Sequence, residues 1–301
     1  MRTRLIALIA AFAAQVAFGA LPADQKNFKT PEQAVAALVK AAQAKDKKAL
    51  VALFGPLGEP LVDSGDPVAD QNSRGRFLEN YNLAHSLDNS DPAKVILVIG
   101  AQGWPFPIPL TLRDGRWFWN SADGAEEIIN RRIGENELDT IQSCLAYVDA
   151  QREYYLRDPD KNGLLQYART FASTPGKRDG LYWPTKEGEP PSPLGPFAAQ
   201  ARAEGYSKQS SRPIPYWGYY FRILTAQGND APGGAYDYLA QGRMIGGFAL
   251  VAFPARYGVS GIMTFIVNHD GVVYQKDLGP NTAAIARAMK EFNPDTTWKK
   301  N

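Results

Sequence analysis

The chain has 301 residues, of which 45% are hydrophobic and 21% charged. Those proportions are globular and exclude wholesale disorder or a polytopic membrane protein. A single Cys rules out an intramolecular disulfide and a cysteine-built zinc site, and two His leave little for a histidine metal cluster. The formal net charge of +2 gives no electrostatic footprint for nucleic acid, so none is expected as a partner.

The first twenty residues have the form of a secretory signal. Arg2 and Arg4 precede the apolar run Leu5 to Ala14, and Ala17-Phe18-Gly19 offers small residues at a cleavage site. Leu5 to Gly19 falls short of the ~20 residues that a helix needs to cross a bilayer. Cleavage after Gly19 removes two arginines and leaves a neutral mature chain. The expected location is therefore the periplasm or the extracellular space, with no integral span after cleavage. A lone Cys144 suits such a compartment. Its neighbours Ile141, Leu145 and Val148 predict a buried structural thiol.

Thr30-Pro31-Glu32-Gln33 opens a first helix with a capping box, and Asp46 caps a second that ends at Gly55-Pro56. A third helix is predicted over Ser73 to Ser86, with Phe77, Leu78, Tyr81 and Ala84 inward. The period then changes to that of strands: Lys94 to Ile99, Ile108 to Leu112 and Trp117 to Asn120. Asp114-Gly115 marks a tight hairpin between the last two. Helices followed by an antiparallel meander predict an α+β domain over 20–135. Helices on one face of a curved sheet would suit the cone-shaped fold of the nuclear transport factor 2 type.

A long helical stretch follows from Gly124 to Arg157, with Gly134 as a candidate break. Its second part places Leu138, Ile141, Leu145, Val148 and Tyr155 on one face. Between Ser173 and Pro215 stand 8 Pro and 5 Gly. Interspersed aromatics mark that stretch as an ordered excursion over a sheet, with a short helix near Phe197 to Glu204. Four strands follow: Tyr219 to Thr225, Gly247 to Ala252, Ile262 to Asn268 and Val272 to Lys276. A last helix spans Thr282 to Phe292, with Ile285, Ala286 and Met289 inward. One long helix before a four-stranded antiparallel sheet is a pilin-like plan, assigned to a second domain over 136–301, with 1–19 as the signal.

Asp158-Pro159-Asp160-Lys161-Asn162-Gly163 carries oxygen ligands at positions 1, 3 and 5 and Gly at 6, the opening of a calcium loop. Position 12 is Arg169, where a bidentate Glu is required. Asp158, Asp160 and Asn162 therefore form at most a partial, weak calcium site; the plainer reading is a polar helix stop. Ser260, His269 and Asp270 invite a triad, but Ser260 lacks the glycine spacing of a nucleophile elbow and His269-Asp270 sits in a predicted turn. Glu126, Glu127, Arg131, Arg132, Glu135 and Glu137 fit solvated i,i+4 ion pairs better than a catalytic cluster. His85, near a helix end, reads as a capping or surface residue. Trp104-Pro105-Phe106 and Tyr216 to Phe221 either pack as core and sheet or line a groove for a glycan or an extended ligand.

Several strings together resemble the bacterial domain-of-unknown-function family 2950. They are Trp104 to Leu110 (WPFPIPL), Arg131 to Leu138 (RRIGENEL), Asp149 to Tyr154 (DAQREY), Asp179 to Pro184 (DGLYWP), and Pro254 to Gly261 (PARYGVSG) with Thr264-Phe265. The resemblance covers essentially the whole mature chain. It implies an exported bacterial protein and carries no assigned mechanism or cofactor. The resulting expectation is a non-catalytic binding or assembly module of the cell envelope, its partner an envelope protein or a glycan. The alternative is a hydrolase or other enzyme with a pocket in the N-terminal α+β domain.

Overall fold

The computed structural model describes residues 25–159, 161, 163–206 and 213–301. The signal-like segment 1–19 lies outside the described residues, as do Asp160 and Asn162 of the calcium-like loop. The chain is a mixed α+β protein with helices at its N-terminus, one long central helix and antiparallel sheets.

The N-terminal part runs α1 (Pro31–Gln43), α2 (Lys47–Phe54), α3 (Gly58–Val62) and α4 (Pro67–Leu83). It continues through β1 (His85–Asp91), β2 (Lys94–Ile99), β3 (Trp104–Pro105), β4 (Leu110–Arg113) and β5 (Arg116–Trp119). The caps act as their chemistry dictates. The Thr30 hydroxyl accepts from the Gln33 N–H, and the Asp46 carboxylate from the Ala49 N–H. Gly55 at the end of α2 has φ +68°, which its missing Cβ permits. The β4–β5 hairpin turns through Asp114 and Gly115, both at positive φ, with Arg113 facing Arg116. Val95, Leu97, Ile99, Ile108, Leu110 and Trp119 meet Val35, Leu38, Leu50, Leu53 and Phe54 in one hydrophobic core. Each such side chain taken from water contributes roughly 1.5–3 kcal/mol.

Two features here depart from expectation. Helix α4 begins six residues before Ser73, because the buried Asp66 caps it and Pro67 occupies its first position. No residue of α4 is fully buried; Phe77, Leu78 and Tyr81 only lean on the core, and Ala84 is exposed and extended. Strand β1, a polar segment, was not anticipated. It pairs with β2 from His85–Ile99 to Asp88–Ile96, and only Leu87 is even half-buried. An edge strand wetted on both faces has no alternation to read.

Helix α5 (Ala125–Arg157) runs 33 residues and passes unbroken through Gly134. Its buried face is not the leucine face. Leu138 is 67% exposed and Leu145 36% exposed, whereas Asn136, Thr140, Ser143, Cys144, Tyr147, Val148, Gln151 and Tyr154 point inward. The polar members are satisfied locally. The Thr140 and Ser143 hydroxyls donate to the carbonyls of Asn136 and Asp139, four residues back. The Gln151 amide accepts from the Ala168 N–H and donates to the Ala168 carbonyl, both at 2.8 Å. Burial pushes the Cys144 thiol up to about 12.

After α6 (Gly195–Ala203) come β6 (Tyr219–Leu224), β7 (Ala226–Gln227), β8 (Tyr236–Asp237), β9 (Leu239–Ala240) and β10 (Arg243–Met244). The chain ends with β11 (Ala249–Pro254), β12 (Met263–Asn268), β13 (Val273–Asp277), α7 (Thr282–Ala288), β14 (Glu291–Phe292) and β15 (Lys299–Lys300). The larger sheet has the order β15-β13-β12-β11-β6, antiparallel throughout. Its fifth strand, β15, was not expected. All six residues of β11 are buried, because α5 and α7 both contact this strand. Helix α7 is shorter than expected. Ala286 is fully buried, but Ile285 is 43% exposed and Met289, beyond the helix, only leans on the core. Among the described residues no helix is long and apolar enough to cross a membrane.

Candidate functional site

The N-terminal helices and the C-terminal segment meet around Asp66. This buried carboxylate caps α4 through Oδ1, accepting from the Val68 and Ala69 N–H groups at 3.1 Å. Its Oδ2 accepts from the Tyr206 hydroxyl and from the Gly218 N–H, each at 2.9 Å. The Tyr206 oxygen in turn accepts from the Trp217 N–H at 3.0 Å. Burial, and next the Asp66 charge, hold the Tyr206 phenol far above its usual range. Trp217 takes positive φ in the turn before β6, and its indole N–H donates to Glu204 at 2.6 Å.

Three residues of the Arg131-to-Leu138 string complete the joint. Arg132 donates to the Pro60 and Leu61 carbonyls at 2.8 and 2.7 Å. Asn136 donates to the Ser260 carbonyl at 2.8 Å. Glu137 accepts from the Ile262 and Met263 N–H groups at 2.9 and 3.0 Å. From the other side Arg256 makes a bidentate pair with Glu59. Glycine is obligatory at position 261, where a Cβ would collide with the Tyr219 hydroxyl.

A cleft of about 670 Å³ opens against this joint. Its aromatic wall comes from Trp104, Phe106, Tyr206 and Trp217, and helices α4 and α5 supply charges of both signs. Phe106 packs edge-on to Trp119 at 5.6 Å, and Phe197 edge-on to Trp217 at 5.0 Å, so these rings are held from behind. The Arg131 guanidinium lies 5.2 Å over the Trp104 ring and pairs with Glu127. Asp70 is half-buried and accepts from the Ser64 N–H through both oxygens at 3.1 Å, yet burial still raises its pKa. Asp139 is also raised, by burial and by the like charges of Glu204 and Glu135.

The other residues singled out in the sequence fall elsewhere. Asp158 ends α5 in a left-handed conformation, its carboxylate accepting from the Gly163 N–H at 2.9 Å. Ser260 is fully buried and donates to the Gly218 carbonyl at 2.9 Å. His269 lies against Tyr236 and Tyr238, with Asp270 at 3.9 Å. His85 stacks on Tyr81, with Nδ1 2.9 Å from the Tyr81 carbonyl oxygen. Of the two aromatic strings, Trp104, Phe106 and Trp217 line the cleft, whereas Tyr219 is fully buried in the sheet core. Asp66, Arg74, Arg76, Asp139, Glu204 and Tyr206 escaped the sequence reading. The pairing of Asp66 with a following Pro67, a cap-and-start signal, was the one legible clue.

A joint made by both halves of one chain thus stands beside a cleft of mixed aromatic and charged lining. The chain belongs to the family described as protein of unknown function (DUF2950), whose model matches residues 25–301. None of the curated proteins and none of the solved structures compared with it matches.

Proposed function

We propose that this chain is an exported cell-envelope protein that works by binding, with its ligand held in the cleft between α4, α5, Tyr206 and Trp217. The signal-like residues 1–19 support export. The cleft supports binding, and the observation that carries the reading is its aromatic wall of Trp104, Phe106 and Trp217, the last two packed against Trp119 and Phe197, facing about 670 Å³ of space. Pockets of this size with a few fixed polar groups are the usual form of a small-ligand site. Many of the polar groups around it already serve the fold. Arg132 holds main-chain carbonyls, Glu204 holds an indole, and Asp70 holds the Ser64 N–H.

Intrinsic fluorescence of the mature protein, titrated with short peptides and with cell-wall oligosaccharides, tests this reading. A saturable change that is lost in Trp217→Phe supports it. No response to either class overturns it. Cell fractionation tests export: a mature form lacking residues 1–19 outside the cytoplasm is expected. The raised pKa of Asp70 in the same cleft favours one second reading, a hydrolase using that carboxyl as a proton donor. Under it, Asp70→Asn abolishes turnover and leaves binding intact.

A further inference from the structure

The charged groups around the cleft divide into those already engaged and those not. Arg131 is paired with Glu127, Arg132 is spent on two carbonyls, Glu204 on the Trp217 indole and Asp70 on the Ser64 N–H. Four groups remain outside any ion pair: Arg74 and Arg76 on α4, Arg76 donating only to the Ser73 hydroxyl at 3.1 Å, and Glu135 and Asp139 on α5. The two cations and the two anions line one cavity, yet no ion pair joins them among the described residues, each such pair being absent within 4.0 Å. The Arg74 Nε is buried and has no hydrogen-bond partner among the described residues. The charges acting most on Asp139 are Glu204 and Glu135, so its surroundings add negative potential where a cation is wanted.

We infer that the occupant is a short zwitterionic peptide chain, its carboxylate toward Arg74 and Arg76, its ammonium toward Glu135 and Asp139, and its middle side chain against Trp104 and Trp217. This deepens, and rests on, the binding reading above. Complementary charge at both ends selects this class by penalising the others. A neutral glycan would use the aromatic planes but leave the buried Arg74 Nε without a partner, and a purely anionic ligand would meet Glu135 and Asp139. A neighbouring cavity of about 580 Å³ shares Asn72, Arg74, Arg76 and Glu204 with the first and adds Lys45 and Glu79. It continues beyond the two arginines, where a longer chain can extend.

The test is a two-dimensional NMR titration of the mature protein with alanine peptides of two to six residues carrying one central phenylalanine. Each peptide is used with free ends, N-acetylated, and C-amidated, beside neutral N-acetylglucosamine oligosaccharides. Free-ended peptides should bind with shifts at Trp104 and Trp217, and blocking either end should weaken binding tenfold or more. Arg76→Gln, at an exposed position, should remove the penalty for amidation only; Glu135→Gln with Asp139→Asn should remove the penalty for acetylation only. Equal affinity for free and blocked peptides overturns the inference while leaving the cleft a binding site. So does tighter binding of the oligosaccharide. If no probe moves the Trp104 and Trp217 resonances, both the inference and the binding reading fail.

Discussion

The Tyr206 hydroxyl donates to Asp66 Oδ2 at 2.9 Å, joining residues 140 positions apart in the chain. This bond closes the joint beside the cleft, and the same carboxylate caps α4. Tyr206→Phe leaves the Trp217 N–H without its acceptor and removes one donor from a buried charge. The expected cost is about 1–3 kcal/mol. Asp66→Ala removes a helix cap as well and should cost about 3 kcal/mol or more. Urea denaturation of both single variants and the double variant checks this. The two effects should be strongly non-additive, because each change orphans the same groups.

Cys144 is fully buried, and its thiol is pushed up to about 12, so thiolate is scarce at neutral pH. A thiol reagent should leave the native protein unlabelled and label it fully in denaturant. Cys144→Ala should cost roughly 1 kcal/mol or somewhat more and leave ligand binding unchanged. Rapid labelling under native conditions would contradict the burial.

The loop after α5 separates two readings by calorimetry. Asp158 sits at φ 39°, a conformation that a Cβ disfavours, with its carboxylate on the Gly163 N–H. If it is a turn and nothing more, Asp158→Asn is nearly neutral, since Asn tolerates the same conformation. Millimolar calcium then leaves the melting temperature unchanged. A partial calcium site with Kd near ~10⁻⁴ M would instead add roughly 1–2 kcal/mol at millimolar calcium.

Asp70 carries a pH signature. Its folded pKa is raised by burial above the ordinary 3.8, so the folded state holds this proton more tightly than the unfolded chain does. Stability from this group is present below pH 3.8 and is lost as pH rises from there through the raised folded value. Asp70→Asn should remove that fall and flatten the stability profile in the mildly acidic range. Denaturant midpoints measured across pH for both proteins decide it; parallel profiles would show that Asp70 titrates normally.

Much of the architecture was legible because local chemistry and tertiary packing agree. Thr30, Asp46 and Asp114-Gly115 placed a helix start, a second helix start and a hairpin. The run Lys94–Ile99 was a strand to the residue. The inward face of α5 was misread for a specific reason. Leucines at 138 and 145 outweighed Asn136, Thr140 and Gln151 on any hydropathy scale. Yet the polar three are buried, because each finds a backbone partner. Such partners lie up to 124 positions away and leave no periodic trace. The cleft was half-visible: its aromatic strings stood out, the α5 charges near Arg131 read as a solvated ion-pair face, and Arg74 and Arg76 of α4 drew no reading. Glu204 and Trp217 join those residues in lining one space.

Helix α5 belongs to two cores at once. Ile128 packs against the N-terminal cluster, and Cys144 to Tyr154 build the C-terminal one. The helix therefore has a phase as well as a length. One residue inserted near Gly134, where the surroundings leave open space, adds ~100° of rotation between its ends. The extra residue would fit, but Tyr147 and Gln151 would swing off the sheet while Ile128 stayed in place. Point substitution at Gly134 is cheap, whereas a change of register there is ruinous, because it uncouples the two cores that one helix serves.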